Sequence, residues 1–352
     1  MWKLATDNES FKKNIVKRIA TCQSLCYATQ SLGSKSCPVA PKVASKLYNS
    51  ACIPKLLYGL EIAEVDDSVM DKLESFHSHN AKMFQGLPDN TSNVGSLGTI
   101  GWSSIEAKLD IMRMLFLWRI LLLPMSYLYK MLIIRLIMTL LEDISSLSIN
   151  TPTASMLKTC HKYGVLHKVI NAICTSKYES ISEWKRYVRN IVLCQDLKRW
   201  KIKCHLYKSL DLYKFALQKN GIMSAWWYYI SVNPEDCYKV RLLLKLLLNC
   251  FRLGKEACIF CNDQSRDFLQ HILFDCQHGK EKRQYYWDMI MHSCLPNLYK
   301  DILLMDSHNK CTFILNAFYV DYTLEWNEFY RRCLYFVYNI YMDYYNCQKL
   351  HK

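Results

Sequence analysis

The sequence predicts a mainly α protein, and three observations carry that expectation. Glycine and proline are scarce, 10 and 8 in 352 residues, which leaves few places for tight turns. Apolar residues recur at spacings of three and four along most of the chain, the period of a helix buried on one side. Hydrophobic residues make up 51% and aromatic residues 13%, enough to build a large core of two or three subdomains and too many for a disordered tail.

The elements follow in order. Ser10 is placed to cap a first helix whose inner face is Phe11, Ile15, Ile19, Cys22 and Cys26. Pro41 opens a second, with Val43, Leu47 and Leu56 inward. Asp67 caps a third with the stripe Val69, Leu73, Phe76 and Met83, stopped by Gly86 and Pro88; His77 and His79 are expected at its surface. Residues 95–101 read as a glycine-containing loop. Ser103 and Glu106 form a capping-box pattern for a fourth helix running toward Pro124. The most apolar region, 111–141, is interrupted by Arg113, Arg119, Pro124, Lys130 and Arg135. Its uninterrupted stretches fall short of the ~20 residues a spanning helix needs, so core helices are expected there and no stable membrane association.

A Ser/Thr-rich stretch at 142–156 marks a boundary, and basic helices follow it. Pro234 begins a short linker, and residues 238–251 form a strongly apolar helix. Beyond 322, Trp326, Phe329, Tyr330, Cys333, Val337 and Ile340 fall at helical spacing, a core stripe or a docking face for a protein partner.

Charge is uneven. The chain carries +14, and residues 151–220 hold 14 Lys/Arg against 4 Asp/Glu, a net of +10. Aromatics interleave these cations. Cations meet phosphates and aromatic faces meet bases, so Lys185, Arg186, Lys198, Arg199, Lys201 and Lys203 are candidate phosphate contacts, with Trp184 and Trp200 as candidate stackers. The competing reading is a helix pair with a solvated basic face and its aromatics turned inward.

The chain has 17 cysteines, an odd number that argues against a complete disulfide framework. Its first residues, Met1 to Asp7, show no apolar signal region, so the thiols are expected reduced and the protein nuclear or cytoplasmic rather than secreted. Cys22 and Cys26 lie on the inner face of one helix and are expected to pack; Cys204 has no partner at ligand spacing. Cys258, Cys261, His271 and Cys276 differ. Their C-x2-C-x9-H-x4-C spacing supplies three thiolates and an imidazole, a ligand set that structural Zn2+ takes in tetrahedral geometry. His278 is the alternative fourth ligand; His271 is preferred because Ile272 and Leu273 give it a buried flank.

Two separated groups of residues carry a family resemblance. Leu56-Leu57-Tyr58-Gly59-Leu60-Glu61 resembles the segment that follows the palm in reverse transcriptases of LINE-type retrotransposons, those without long terminal repeats. The helix around Asn14 to Ala20, the run from Leu73 to Pro88 and the step Leu97-Gly98 to Ser104 stand in matching order. Arg241, Arg252, Gly254, Cys258, Cys261, His271, Leu273, Cys276 and Arg283 resemble the zinc-binding segment near the C-terminal end of these polyproteins. The matched segments cover about residues 10–125 and 240–290. The middle and the C-terminal tail resemble the family only in helical, basic character. The resemblance implies a thumb-like helical bundle over 1–145 and a small zinc-knuckle-type module over 236–290; the residues themselves read as a basic helical linker region over 146–235 and aromatic-rich helices over 291–352.

The polymerase of that family needs carboxylates on a palm strand to hold its metal ions, in an aromatic-x-Asp-Asp box upstream of the Leu56 segment. No such box stands before Leu56. Val65-Asp66-Asp67 lies after it, with Glu64 where the aromatic belongs, and reads as a helix N-terminus. No phosphate-binding loop, nucleophile elbow or H-E-x-x-H pattern is present either. The expectation is therefore a nucleic-acid-binding C-terminal fragment of an RNA-directed DNA polymerase, without the catalytic palm and without chemistry of its own, that binds RNA or DNA. The alternative is a zinc-containing helical scaffold for protein interaction, a decayed or co-opted mobile-element remnant.

Overall fold

Few turn residues and long amphipathic runs give a mainly α protein. The structure, a computed structural model, describes residues 8–32, 39–142, 152–214, 223–250, 258–263, 267–294, 296–316 and 323–350, and among them there is no strand. Most of the boundary expected at 142–156, with Phe251, Arg252, Gly254 and Tyr322, lies outside the described residues. The chain divides into two compact units, one of residues 1–27, 47–77 and 103–200, the other of 28–46, 78–102 and 201–352.

In the first unit the helix Asn8–Ser31 buries Ile15, Cys22 and Cys26. Cys52 meets them from the π-helical turn Tyr48–Cys52, and Cys26 and Cys52 sulfurs lie 3.7 Å apart. That turn has a local cause. Pro54 has no N–H to offer and its ring crowds the preceding turn, so Ile53 donates back five residues, to the Tyr48 carbonyl. The burial pattern also corrects the expected inner face, which starts one residue later along Pro41–Leu47. Val43 and Leu47 are exposed, while Ala44, Tyr48, Cys52 and Leu56 are buried. Asp66 caps the helix Asp67–Gln85 by accepting from Val69 N at 2.8 Å, and a hydrogen bond from Lys12 lowers its carboxyl to about 2. His77, expected at the surface, is fully buried. Its Nδ1 meets the Tyr48 hydroxyl at 2.9 Å and its Nε2 the Ser103 carbonyl at 3.0 Å, which gives both ring nitrogens a partner.

The rest of this unit packs around two indoles. The helix Ile105–Leu121 starts at Ser104 rather than at Ser103, with the Ser104 hydroxyl accepting from Ala107 N. It packs with Pro152–Lys162 and Leu128–Glu142, and Leu166–Thr175 joins the same apolar cluster. Trp118 and Trp184, from Ile181–Leu206, stack with ring centres 3.9 Å apart and planes 10° from parallel. Each indole N–H has an acceptor, the Glu179 carbonyl for Trp118 and the Met114 carbonyl for Trp184.

In the second unit, residues expected as a loop form the helix Asn93–Ile100, capped by Ser92 and ended by Gly101 in the left-handed conformation. Gly95 sits inside it because a Cβ there would lie 2.8 Å from Leu248 and 2.9 Å from Leu210; packing overrides propensity. Trp226 and Trp227, in Ala225–Val232, are buried, and their N–H groups donate to the Leu315 carbonyl and Gln85 Oε1. The C-terminal stripe is core. Phe329, Tyr330, Cys333, Val337 and Ile340 are buried along Asn327–Leu350, which packs on Cys237–Leu247 and Lys280–His292. Those residues are therefore covered by their own unit.

Candidate metal centre and basic helix

Cys258 and Cys261 stand on a tight turn. Asn262 N donates to the Cys258 carbonyl at 2.8 Å and Cys258 N to the Asp263 carbonyl at 2.9 Å. Asn262 has φ of 58°, the left-handed conformation that asparagine tolerates better than most residues. His271 and Cys276 stand on either side of the π-helical turn His271–Asp275, closed by Cys276 N donating to the His271 carbonyl at 2.7 Å. The i,i+5 closure swings Cys276 back toward His271, where an ordinary helical turn would carry it onward.

The four side chains converge. Cys258 and Cys276 sulfurs are 3.8 Å apart, Cys276 and Cys261 sulfurs 3.9 Å, and Cys261 Sγ lies 3.2 Å from His271 Nε2. All four ligand atoms fall within 4.8 Å of one another, so the group can hold one metal ion. A disulfide needs sulfurs ~2.05 Å apart. A tetrahedron of sulfurs bonded at ~2.3 Å to a central ion has edges of about 3.8 Å, which the two sulfur pairs match.

The surroundings orient these ligands. His271 Nδ1 faces Asp263 Oδ2 at 3.1 Å, which fixes the proton on Nδ1 and turns the Nε2 lone pair toward the sulfurs. Buried Arg283 donates to the carbonyls of Cys276 and, at 2.6 Å, of His278, bracing the turn from behind. Burial pushes the Cys276 thiol up to about 12; a hydrogen bond from His278 N opposes the shift and the neighbouring Cys258 and Cys261 sulfurs add to it. Of the two histidines, His271 is the one whose Nε2 meets the sulfurs, while the His278 ring stacks on Phe260, 3.8 Å between centres. Asp263 and Arg283 complete the site, and of the two only Arg283 was marked by the sequence. A carboxylate two residues after a cysteine carries no pattern of its own; only the fold aims it at His271.

The basic helix divides the other predicted residues. Trp184 is buried against Trp118 with its N–H bonded, so no base reaches it, a correction to its expected stacking role. Trp200 is half-buried. Arg199 is engaged within the unit, bonded to Glu106 at 3.0 Å and to the Tyr163 hydroxyl at 3.2 Å. Lys185, Arg186, Lys198 and Lys203 are exposed and Lys201 is half-buried, and none forms an ion pair among the described residues. Arg189, one turn beyond Lys185, is exposed as well and was not singled out by the sequence. The Trp184 face of the helix thus turns inward, as the competing reading had it, while Lys185, Arg186, Lys198 and Lys203 face water.

Among the described residues no helix is long and apolar enough to cross a membrane. No protein-family model, curated protein or solved structure matches the chain.

Proposed function

We propose that the chain binds single-stranded RNA or DNA without catalysis, with Zn2+ at Cys258, Cys261, His271 and Cys276 as a structural ion. The cations left in water on the helix Ile181–Leu206 carry the nucleic-acid half of this reading. None of Lys185, Arg186, Lys198 and Lys203 forms an ion pair among the described residues, and a chain of net +14 attracts polyanions. The ligand count supports the structural role: four protein ligands close a tetrahedral site and leave no position for substrate or activated water. Zn2+ suits a set of three sulfurs and one nitrogen, whereas Mg2+ and Ca2+ take oxygen ligands. The reading also includes kinship with the thumb and zinc-binding portion of LINE-type reverse transcriptases, supported by the order of the Leu56 and Cys258 motif groups.

The test is a salt series of binding to labelled single-stranded RNA and DNA. Affinity should fall steeply with salt. Lys185→Glu with Lys198→Glu should weaken all sequences alike and flatten the slope by about one for each phosphate no longer neutralised. Salt-independent binding, or none, contradicts the proposal.

A further inference from the structure

Beside the metal ligands, within the second unit, lies a cleft of about 310 Å³. Cys276 forms part of its wall, so metal centre and cleft share a boundary. Its buried lining is mainly apolar and aromatic, from Ile272, Ile340 and Tyr344, joined by Cys276 and the Arg283 guanidinium; Phe260 packs edge-on to Tyr344 at 5.6 Å and carries the His278 ring on its face. Its exposed lining is charged: Lys282 pairs with Asp343 there, and half of each side chain meets water. The helix Lys280–His292 also begins at this mouth. Its cap is Gly279, which has no side chain to occupy the first N–H groups of the helix.

We propose that this cleft takes one unstacked nucleobase of a single-stranded RNA or DNA. The inference rests on the nucleic-acid reading above and names the place where a base, rather than a phosphate, is held. The volume suits a single ring system, at the low end of ligand pockets. An apolar, aromatic floor accepts the flat face of a base. The Asp343 carboxylate accepts from a base amino or imino N–H. Lys282 and the N–H groups after Gly279 offer the adjoining phosphate a place outside the cleft. The alternative occupant, an apolar side chain of a peptide, leaves this paired set of cation and carboxylate at the mouth without a role.

The experiment uses the full zinc-loaded chain and short single-stranded oligonucleotides, in RNA and DNA arms. Each carries one photo-cross-linkable base, 4-thiouridine or its deoxy form, and cross-linked peptides are mapped by mass spectrometry. Cross-links on Phe260 or Tyr344 are expected. Cys347→Trp, which fills the cleft from its half-buried wall, should weaken binding about tenfold, within the range for loss of one stacked base, with zinc content and salt slope unchanged. Asp343→Asn should weaken it several-fold, although removing a negative charge strengthens a purely electrostatic contact. Salt-dependent binding with cross-links only elsewhere, or with Cys347→Trp at full affinity, overturns the cleft proposal and leaves the nucleic-acid reading standing. An apolar peptide captured in the cleft, with no oligonucleotide cross-link there, overturns it in the same way. Absence of salt-dependent binding overturns both.

Discussion

Among the described residues two groups of three cysteine thiols stand in contrast, one wholly buried and one with Cys261 exposed. In the first unit Cys22, Cys26 and Cys52 crowd together, with Cys26 and Cys52 sulfurs 3.7 Å apart. In the second, Cys258, Cys261 and Cys276 stand at nearly the same separations. Distance alone does not tell them apart; what surrounds the sulfurs does. The first group faces backbone carbonyls: Cys22 Sγ lies 3.6 Å from the Cys52 carbonyl and Cys52 Sγ 3.8 Å from the Cys22 carbonyl. Acceptors hold thiols in the protonated form. The hydrogen bond with Cys52, and burial behind it, raise the Cys22 thiol far above its ordinary value. The Cys22 bond lowers Cys52, but Cys26 and burial outweigh it and leave Cys52 at about 11. The second group has an imidazole aimed inward, a carboxylate behind that imidazole, an N–H on Cys276 and a guanidinium behind the turn. One cluster packs as small hydrophobes; the other could hold a metal ion.

Removing the metal should have the largest effect. A chelator, or Cys258→Ser, should melt the turn at Cys258 and the helix Lys280–His292, since metal binding to such sites carries on the order of 10 kcal/mol of folding free energy. Circular dichroism with and without chelator reads this, and an unchanged helix content counts against the ligand role. Cys22→Ser is the counterpart in the other cluster. It should cost about 1–3 kcal/mol, from a hydroxyl among apolar neighbours, and leave zinc content untouched. A thermal melt that moved together with zinc loss in this variant would erase the contrast.

Asp263→Ala sharpens the comparison. It removes no ligand, so zinc should still bind, but 10- to 100-fold more weakly in competition with a chelator of known affinity. Unchanged affinity makes the 3.1 Å contact to His271 incidental.

Acid should weaken the first unit through His77 whether or not zinc is present. Burial lowers this imidazole to about 3, so the folded state keeps it neutral while the unfolded state takes up a proton near its ordinary 6.5. The stabilisation is complete above 6.5 and is lost as pH falls from there toward 3, at about 1.4 kcal/mol per pH unit. Denaturant titrations at pH 6 and 5 should show the slope, with His77→Gln as the reference that lacks it. An equal slope in that variant assigns the loss elsewhere.

How far the sequence could be read follows the same division. The convergence of Cys258, Cys261, His271 and Cys276 was legible because C-x2-C and H-x4-C are local spacings, short enough for one turn each to satisfy. The helical class was legible from periodicity. Three features were hidden by tertiary context. The helix Asn93–Ile100 was masked by Gly95, whose missing Cβ makes room for Leu210 and Leu248. His77 looked like a surface residue because its partners, Tyr48 and the Ser103 carbonyl, lie 29 and 26 residues away. Trp184 looked like a stacker because basic neighbours flank it in sequence, yet a helix turns adjacent residues by ~100° and sets them on different faces.

The most direct measurement is the zinc content of the purified full chain beside Cys22→Ser and Cys258→Ser, by elemental analysis and native mass spectrometry. The account predicts one zinc per chain in the parent and in Cys22→Ser, and none in Cys258→Ser. A folded parent without zinc after reconstitution, or zinc lost equally from both variants, contradicts it.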